Sequence, residues 1–358
     1  MGRSAMAAKV ALALAGVLLA GGQASAADQI RLYAENDSKL NPFPTRTDRY
    51  YTNGLKLEWL RLEEELDGRF LPGISHSDWC RLICGGDALE RGKVDAGFAI
   101  GQNMYTPQDI LNPAPQPNDR PWAGHLYGSR IARISYLQNS LEAQRQDRIE
   151  VSLGIVGPAA LAGETQIEFH RLIGADHPAG WDNQLRNEPI LQLRYDVALR
   201  WPNEDGGHAD LIPLVRMNVG NAVTSLEAEI TGRIGWNLSG FGVQPIVAYA
   251  PVPHDVAPAE SARRPRWRSS GSLFVRGGVK AVAHNIFLDG NSFERNDIRI
   301  RRTTLVPEIA AGIELNLIRN VSLSFQFIHR RSEFRRRNGL KAPPQEFGSA
   351  TIAFTFGR

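Results

Sequence analysis

Residues 191–201 read LQLRYDVALRW, an almost unbroken alternation of apolar and polar side chains. Successive side chains of a strand point to opposite faces, so this segment predicts a β-strand with one apolar and one largely ionised face. The same pattern recurs at 55–59, 226–237 and 321–327. A half-buried sheet of a soluble sandwich also alternates, so one strand of this kind leaves the fold class open.

The first 26 residues have the features of a secretory signal peptide. Arg3 and Lys9 precede the apolar run 10–20, and Ala24-Ser25-Ala26 is a small-residue cleavage site. The apolar run is too short to be a spanning helix. We therefore predict that residues 1–26 are removed and that residues 27–358 form one exported domain.

The charge balance is close to neutral. The chain has 41 Lys and Arg against 38 Asp and Glu, and removal of the signal peptide takes away two of the positive charges. This balance argues against a protein that binds nucleic acid through bulk positive charge. The hydrophobic content of 42% is ordinary for a soluble protein, and no apolar run after the signal peptide approaches the ~20 residues of a transmembrane helix.

A transmembrane β-barrel accounts for both the export signal and the ionised strand faces, because its outer face meets lipid and its lumen is polar. The last residues, 348–358, resemble the aromatic-ended final strand of outer-membrane proteins, although Gly357 and Arg358 follow the last Phe. We predict an all-β fold, a transmembrane antiparallel β-barrel of about 12 strands, with a short helix in an outer loop. The predicted strands are 29–37, 52–63, 94–104, 124–138, 147–157, 188–201, 209–220, 224–237, 270–287, 305–318, 320–332 and 348–357. The strand-like segment 243–250 would make an odd number, so we place it in a connection.

With the N-terminus in the periplasm, the loops near 38–51, 105–123, 158–187, 288–304 and 333–347 lie on the outer side of the membrane. The connection 64–93 then lies in the periplasm and contains Cys80 and Cys84. In an oxidising compartment a local disulfide is a better interpretation of this pair than a metal site.

Polar residues gather where the first two predicted strands meet on the outer side. The first strand ends with residues 35–37 and the second begins with residues 52–54, and these ends are neighbours in an antiparallel hairpin. Asn36, Asp37 and Thr52 can therefore converge, and a carboxylate with nearby neutral oxygen ligands is the kind of set that binds Ca²⁺. The same residue types are common in turns, so a purely structural role is an alternative.

The loop after the fifth strand has a helical pattern that ends at Gly174. Gln166 and His170 are four residues apart and share one face of this helix. An imidazole titrates near neutral pH, so His170 is a candidate general base, and Asp176 could orient its ring if the chain folds back after Gly174. The sequence contains no G-x-S-x-G nucleophile elbow, H-E-x-x-H zinc motif or P-loop.

Five motifs in this order resemble the LpxR family of outer-membrane lipid A deacylases. They are residues 35–37 (END), 48–54 (DRYYTNG), 102–107 (QNMYTP), 119–124 (DRPWAG) and 166–185. The resemblance covers nearly the whole exported chain. It implies a twelve-stranded barrel in the Gram-negative outer membrane that removes the 3′-linked acyloxyacyl chain from lipid A in the outer leaflet by Ca²⁺-dependent hydrolysis. The positions that match the functional residues of the family are Asn36, Asp37, Thr52, Gln166 and His170, and Asp176 stands where the family can have Glu.

Each of these residue types suits a step of ester hydrolysis. The resemblance implies that Asp37, with Thr52, holds Ca²⁺, which polarises the ester carbonyl. His170 would take a proton from the attacking water, so no serine nucleophile is needed. Asn36 and Thr52 would complete the metal or oxyanion environment, and Gln166 would position water or substrate.

The sequence departs from the family in one loop. Family members can carry a Lys-Arg pair after the third strand, suited to a lipid A phosphate, whereas residues 108–115 here contain no basic residue. Phosphate recognition must then come from elsewhere, or the substrate differs. A second cluster of basic residues is a candidate by charge, with a solvated loop as the alternative: Arg330, Arg331, Arg335, Arg336 and Arg337.

Two other functions are compatible with the sequence. The protein could be a non-catalytic barrel, either a channel or a structural protein that binds lipopolysaccharide, or it could hydrolyse a different lipid. The expected partners are lipid A or lipopolysaccharide and the lipids of the outer membrane, without nucleic acid, and the expected state is a monomer.

Overall fold

The computed structural model describes residues 27–38, 40, 48–64, 66–84, 86–201, 208–238, 240–241, 269–294, 299–317 and 320–356. The predicted signal peptide and the strand-like segment 243–250 lie outside these residues. All structural statements below concern the described part of the chain.

Twelve antiparallel strands of the described residues close into a barrel, which confirms the predicted fold class. Closure is made by the first and last strands, which pair from Asp28 opposite Phe356 to Asn36 opposite Gly348. The strands begin and end within a few residues of the predicted positions. They are β1 (Asp28–Asn36), β2 (Tyr50–Glu64), β3 (Lys93–Thr106), β4 (Ala123–Gln138), β5 (Ala143–Val156), β6 (Glu188–Arg200), β7 (Ala209–Gly220), β8 (Val223–Trp236), β9 (Ser270–Asn285), β10 (Leu305–Leu317), β11 (Val321–Arg330) and β12 (Gln345–Phe356).

The alternation seen in the sequence separates the lumen from the outer wall. In β6, Arg194 and Asp196 are buried in the lumen, whereas Leu191 on the opposite face is 60% exposed. The luminal charges are paired across strands: Arg216 contacts Asp196 at 3.1 Å and Glu227 at 2.5 Å. Unpaired charges in such an interior would be very costly, so the near-neutral composition follows from a lumen filled with ion pairs.

An apolar cluster fills the barrel at the end where β1 stops and β2 starts. Tyr105 stacks on Phe287 with ring centroids 4.1 Å apart, and Tyr51 packs edge-on against Phe347. The cluster continues into neighbouring strands through Val156, Ile190, Val223 and Ile328. Together with the ion pairs, it leaves the described lumen packed with side chains.

Short elements lie in the connections. The helices are α1 (His76–Ile83), α2 (Gly86–Arg91), α3 (Ala162–Ile173) and α4 (Ile286–Asp289), with single 3₁₀ turns at Asn139–Leu141, Pro158–Ala160 and Trp181–Asn183. Arg69–Leu71 pairs with Ile74–Ser75, and Arg301–Arg302 pairs with Phe334–Arg335. Within the described ranges, no helix is both long and apolar enough to span a membrane.

The helices α1 and α2 form the connection between β2 and β3. Cys80 and Cys84 are bonded, as the sequence predicted. Trp79 of α1 packs against Val94 and Ile134 of the barrel wall. Val94 lies on the same strand face as the exposed Phe98, so this connection covers part of the outer wall.

Candidate functional site

A cavity lies between α3 and the outer ends of β1, β2 and β3, and its volume is about 350 Å³. Four of the residues predicted from sequence line it: Asn36, Thr52, Gln166 and His170. The apolar side chains Leu55, Phe169 and Ile173 also line it and are 41%, 45% and 39% exposed, on the side that faces away from the lumen. The cavity is therefore a cleft on the outside of the barrel wall and not part of the lumen.

The helix α3 is docked on this wall by local features of its sequence. It starts after Leu161 in a left-handed conformation and ends at Gly174, also left-handed with φ 68°. Gln102 on β3 donates a hydrogen bond to the Ala160 carbonyl at 2.7 Å. A Cβ at Gly124 would lie 2.5 Å from the Ala162 side chain, so the glycine of the DRPWAG motif allows the helix to approach the wall.

His170 is buried in the cleft and is held from one side. Its Nδ1–H donates a hydrogen bond to the Asp176 backbone carbonyl at 2.5 Å. A carbonyl can only accept, so in the neutral ring the lone pair is on Nε2, the atom needed for a general base. Nε2 lies 3.7 Å from Oδ2 of Asp48.

Asp176 was predicted to orient the imidazole, and the structure assigns that contact to its main chain. The chain reverses after Gly174 and brings the Asp176 carbonyl to the ring, while the side chain is exposed. A main-chain contact does not require a carboxylate at this position. The geometry therefore explains how the imidazole is oriented without explaining why the residue is acidic.

Asp37 lies between the cleft residues Asn36 and Ser38 in the chain, does not itself line the cleft, and is fully buried. Its Oδ2 accepts a hydrogen bond from the Arg49 backbone N–H at 2.6 Å, whereas its buried Oδ1 has no hydrogen-bond partner. Burial raises the pKa of this carboxyl well above its ordinary value, and the charge of Asp48 adds to the effect. A buried carboxylate oxygen without a partner is costly unless a cation completes its environment.

Asn36 ties the ends of the first two strands together. Its Nδ2 donates to the Thr52 carbonyl at 3.0 Å, and its Oδ1 accepts from the Ser38 backbone N–H at 2.9 Å. Both ends of the amide are thus engaged in the turn. This contact pattern is the structural role that the sequence left as an alternative, and it places Asn36 beside the cleft as a positioning residue.

Thr52 sits on a β-bulge. Tyr51 pairs with Tyr105 and Asn53 pairs with Met104, so Thr52 has no partner residue on β3. A bulge re-aims a side chain, and here Thr52 is buried and lines the cleft.

The hydrogen bonds of the Thr52 hydroxyl can be assigned. Thr106 Oγ1 donates to the Asp48 carbonyl at 3.1 Å, which uses its only proton. The contact of 2.6 Å between the Thr52 and Thr106 hydroxyls must then have Thr52 as donor. Oγ1 of Thr52 consequently offers only lone pairs to the cleft, which suits a metal ligand and not an oxyanion donor.

Gln166 is oriented by an indole. The Trp181 Nε1–H, a donor only, contacts Gln166 Oε1 at 2.8 Å. The amide Nε2 of Gln166 is then directed elsewhere, and it is buried without a hydrogen-bond partner. This group is a donor available to a carbonyl oxygen or a water in the cleft.

Sequence reasoning did not assign roles to Asp48, Thr106 and Trp181, although all three lie in the quoted motifs. Asp48 contacts His170, Thr106 accepts the Thr52 hydroxyl, and Trp181 donates to Gln166, in each case from a segment that is distant in the sequence. Within the described ranges, no three side chains of His, Cys, Asp and Glu come together as a metal site. A cation here would need neutral oxygens such as Thr52 Oγ1 beside the acidic pair Asp37 and Asp48, a donor set that Ca²⁺ accepts and that Zn²⁺ does not favour.

The arginines between positions 330 and 337, which their charge suggested as a phosphate site, do not lie together in the structure. Arg330 is buried in the barrel and contacts Glu308 at 2.7 Å and Glu333 at 3.5 Å, which makes it a structural residue. Arg336 donates to Gln108 Oε1 at 2.8 Å. Arg337 lines a second, smaller cavity among the outer loops, so the cluster does not act as one basic surface.

Comparison with known proteins agrees with this architecture. The sequence profile of "Outer membrane protein LpxR" matches residues 6–356. LpxR from Salmonella typhimurium has a similar structure, with a TM-score of 0.68, 19% identity and coverage of 92% of this chain and 100% of that chain. The β domain of the Bordetella autotransporter BrkA matches with a TM-score of 0.43, 9% identity and coverage of 92% and 98%. No curated protein sequence matches the chain. Since the family profile spans almost the entire chain, this protein belongs to the LpxR family of outer membrane proteins.

Proposed function

We propose that this protein is a Ca²⁺-dependent hydrolase that removes the 3′-linked acyloxyacyl chain from lipid A in the outer leaflet of the outer membrane. The observation that carries this proposal is the position of the cleft: the buried imidazole of His170 lies on the outer wall of an outer-membrane barrel, beside exposed apolar side chains, and the buried carboxylate of Asp37 follows the cleft residue Asn36 in the chain. A lipid ester can enter such a cleft from the membrane, whereas a soluble substrate has no need of an apolar rim.

His170 supplies the base. Its Nδ1–H is held by the Asp176 carbonyl, so Nε2 can accept a proton from a water molecule in the cleft. The water oxygen forms a bond to the ester carbonyl carbon, the carbon–oxygen bond to the sugar breaks, and the proton on Nε2 passes to the sugar oxygen. The products are a free acid and a sugar hydroxyl, and no covalent enzyme intermediate is needed.

Two groups face the developing negative charge. The unpartnered Nε2 of Gln166 can donate to the carbonyl oxygen. Ca²⁺, held by Asp37 with Thr52 and Asp48, would supply Lewis-acid polarisation of the same ester. The buried Oδ1 of Asp37 and the lone pairs of Thr52 fit this ion.

The rim of the cleft suits an acyl chain. Leu55 lies on the lipid-facing side of β2, and Phe169 and Ile173 lie on the exposed side of α3. Each side chain can contact a hydrocarbon chain while the ester reaches His170. The reaction class and the apolar rim together favour a lipid with a long acyl group.

A channel is the less favourable interpretation. The described lumen contains paired charges such as Arg148 with Glu58 at 3.0 Å, below the apolar cluster around Tyr105 and Phe287. These groups occupy the space that a solute would need.

The test is fatty acid release from lipid A by the purified protein in detergent. We expect fatty acid release with Ca²⁺ and none with EDTA. Activity should fall about 1,000-fold or more in His170→Ala, because this substitution removes the general base. His177→Ala, an exposed histidine of the same loop, is the matched control and is expected to retain full activity. Equal activity of His170→Ala and the wild type would overturn the mechanism.

A further inference from the structure

The outer wall of β3 is covered at its periplasmic end by the connection from β2. Val94 and Ala96 point away from the lumen, and both are buried in the apolar cluster that contains Trp79 of α1. The next outward side chains, Phe98 and Ile100, are 53% and 56% exposed. The part of this wall that lipid can contact therefore begins after Ala96.

The outer end of the same strand is covered by α3 and the turn before it. Gln102 donates to the Ala160 carbonyl at 2.7 Å, and Met104 is buried in an apolar cluster with Ala162 of α3. The uncovered stretch of β3 thus lies between Ala96 and Gln102. At ~3.3 Å per residue and a strand tilt of ~40°, it is ~20 Å long and spans only ~15 Å of the membrane.

The wall is much taller at β10, which lies nearly opposite β3 in the barrel. The outward side chains of β10 are all apolar, from Leu305 at one end to Leu317 at the other, and all are exposed except Leu315, which is partly buried. By the same geometry this face is ~40 Å long and spans ~30 Å, the thickness of a typical hydrocarbon core. The apolar wall beside the cleft is therefore about half as tall.

A fixed cation marks the inner edge of the short wall. Arg130 of β4 is paired in register with Phe98, and its guanidinium lies 4.6 Å from the centroid of that ring. The guanidinium donates to the carbonyls of Arg69, Phe70 and Gly97 at 2.9, 3.0 and 3.0 Å. These bonds hold the charge near the middle of β4, so it does not extend to a distant interface. Because a cation is costly inside hydrocarbon, the hydrocarbon must end close to Arg130.

The same edge continues onto β2. Trp59 stacks on Phe98 with ring centroids 6.3 Å apart, and the guanidinium of Arg61 lies 5.6 Å from the Trp59 ring centroid. Aromatic rings beside cations are typical of the boundary between membrane and water. Leu55, an outward residue nearer the other end of β2, lines the catalytic cleft. The cleft and this inner edge therefore lie on one narrow face of the barrel.

We infer that the bilayer is locally thinned where it meets β2, β3 and β4, to about half its thickness at β10. A hydrophobic face that is shorter than the hydrocarbon core is accommodated by thinning of the bilayer. Thinning disturbs the packing of the lipids beside the cleft and lets an ester that lies below the headgroups approach His170. The thinning is independent of any activity, whereas this last step rests on the proposed hydrolase function.

Spin labels of known depth test the thinning. One label is attached to Ile100→Cys and one to Ala311→Cys, both at exposed outward positions, while the native cysteines are bonded to each other and do not react. Accessibility to oxygen and to a nickel chelate in phospholipid vesicles gives the depth of each label. We expect ~5 Å below the nearer headgroups at position 100 and ~15 Å at position 311. Equal depths would overturn the inference.

Substitutions of Arg130 test the inner edge and its consequence. In Arg130→Leu the label at position 100 should lie deeper, and in Arg130→Lys, which keeps the charge, its depth should be unchanged. Hydrolysis of lipid A by Arg130→Leu should fall about fivefold in vesicles and stay unchanged in detergent micelles, which impose no bilayer thickness. Heat-modifiable migration on gels checks that each variant is folded.

The two measurements separate this inference from the proposed function. A wild-type protein that is inactive in both vesicles and micelles would refute the hydrolase, and the label depths would still test the thinning. An unchanged label depth in folded Arg130→Leu would refute the assignment of Arg130 to the inner edge.

Discussion

The substitution Asp37→Asn tests the buried carboxylate most sharply. Asn keeps the shape of the side chain, and its carbonyl can still accept the Arg49 backbone N–H that now contacts Oδ2. What is lost is the charge on Oδ1, the buried oxygen without a partner. A charged contact of this kind contributes ~1.5–3 kcal/mol, so we expect the Ca²⁺ affinity to fall about 100-fold, the upper end of that range.

The predicted effect on the free energy of unfolding follows from this 100-fold fall in Ca²⁺ affinity. At a Ca²⁺ concentration of ~100 times the dissociation constant, binding stabilises the wild type by ~2.7 kcal/mol. At the same concentration the variant would be stabilised by only ~0.4 kcal/mol, because its dissociation constant would then equal the Ca²⁺ concentration. The assays are calcium titration calorimetry and thermal unfolding in detergent, each with Ca²⁺ or with EDTA.

The pH dependence has a defined sign. Because burial raises the pKa of Asp37 in the folded protein, its contribution to stability without Ca²⁺ is present below the ordinary aspartate pKa of ~3.9 and is lost as the pH rises through the raised value. This decline should be absent from Asp37→Asn in EDTA. Ca²⁺ should restore stability to the wild type at neutral pH, and its binding should release a proton.

The control for this experiment is Asp182→Asn, which removes the charge of an exposed aspartate in an outer loop. It should bind Ca²⁺ as the wild type does. If Asp37→Asn bound Ca²⁺ with wild-type affinity, Asp37 would not be a ligand and the metal role proposed for it would be wrong.

Three further substitutions test supporting contacts. Thr106→Val removes the acceptor of the Thr52 hydroxyl, and we expect kcat to fall about fivefold, which corresponds to the loss of a hydrogen bond of ~1 kcal/mol. Heat-modifiable migration on gels should show that the barrel of this variant is folded. Trp181→Phe keeps an aromatic ring but removes the N–H that holds Oε1 of Gln166, so kcat should fall about tenfold with KM little changed. A variant as active as the wild type would show that the orientation of the Gln166 amide is irrelevant to catalysis. Cys80→Ser should lower the melting temperature by a few degrees without changing kcat, because the disulfide lies in the connection on the barrel wall, far along the chain from the cleft residues. Loss of activity in folded Cys80→Ser would contradict that separation.

The strands were predictable because period-two alternation is a local property of the sequence. Segment 191–201 predicted both the strand and its charged face, and β6 has Arg194 and Asp196 in the lumen. The first residue of β5 was placed four residues late, since Ala143–Gln146 shows no clear alternation. Charge in the sequence did not reveal that Arg330 would be enclosed by two glutamates.

The positions of the candidate site residues could be predicted better than their contacts. The hairpin between the first two strands indicated the convergence of Asn36, Asp37 and Thr52, and the helical pattern put Gln166 and His170 on one face; only the family resemblance joined the two groups. The cleft is lined by all of these residues except Asp37. The bulge at Thr52 and the main-chain contact of Asp176 could not be predicted, because they depend on pairing register and on a chain reversal. Both features depend on backbone conformation and on contacts between residues that are distant in the sequence. The side-chain types at single positions do not indicate either of these.

Mass spectrometry of lipid A after incubation with the purified protein tests the central proposal most directly. With Ca²⁺ we expect one product that has lost the 3′-acyloxyacyl group and retains its other acyl chains. The spectrum should be unchanged with EDTA or with the His170→Ala protein. An unchanged spectrum for the folded wild type at high Ca²⁺, or loss of an acyl group from another position, would contradict the account.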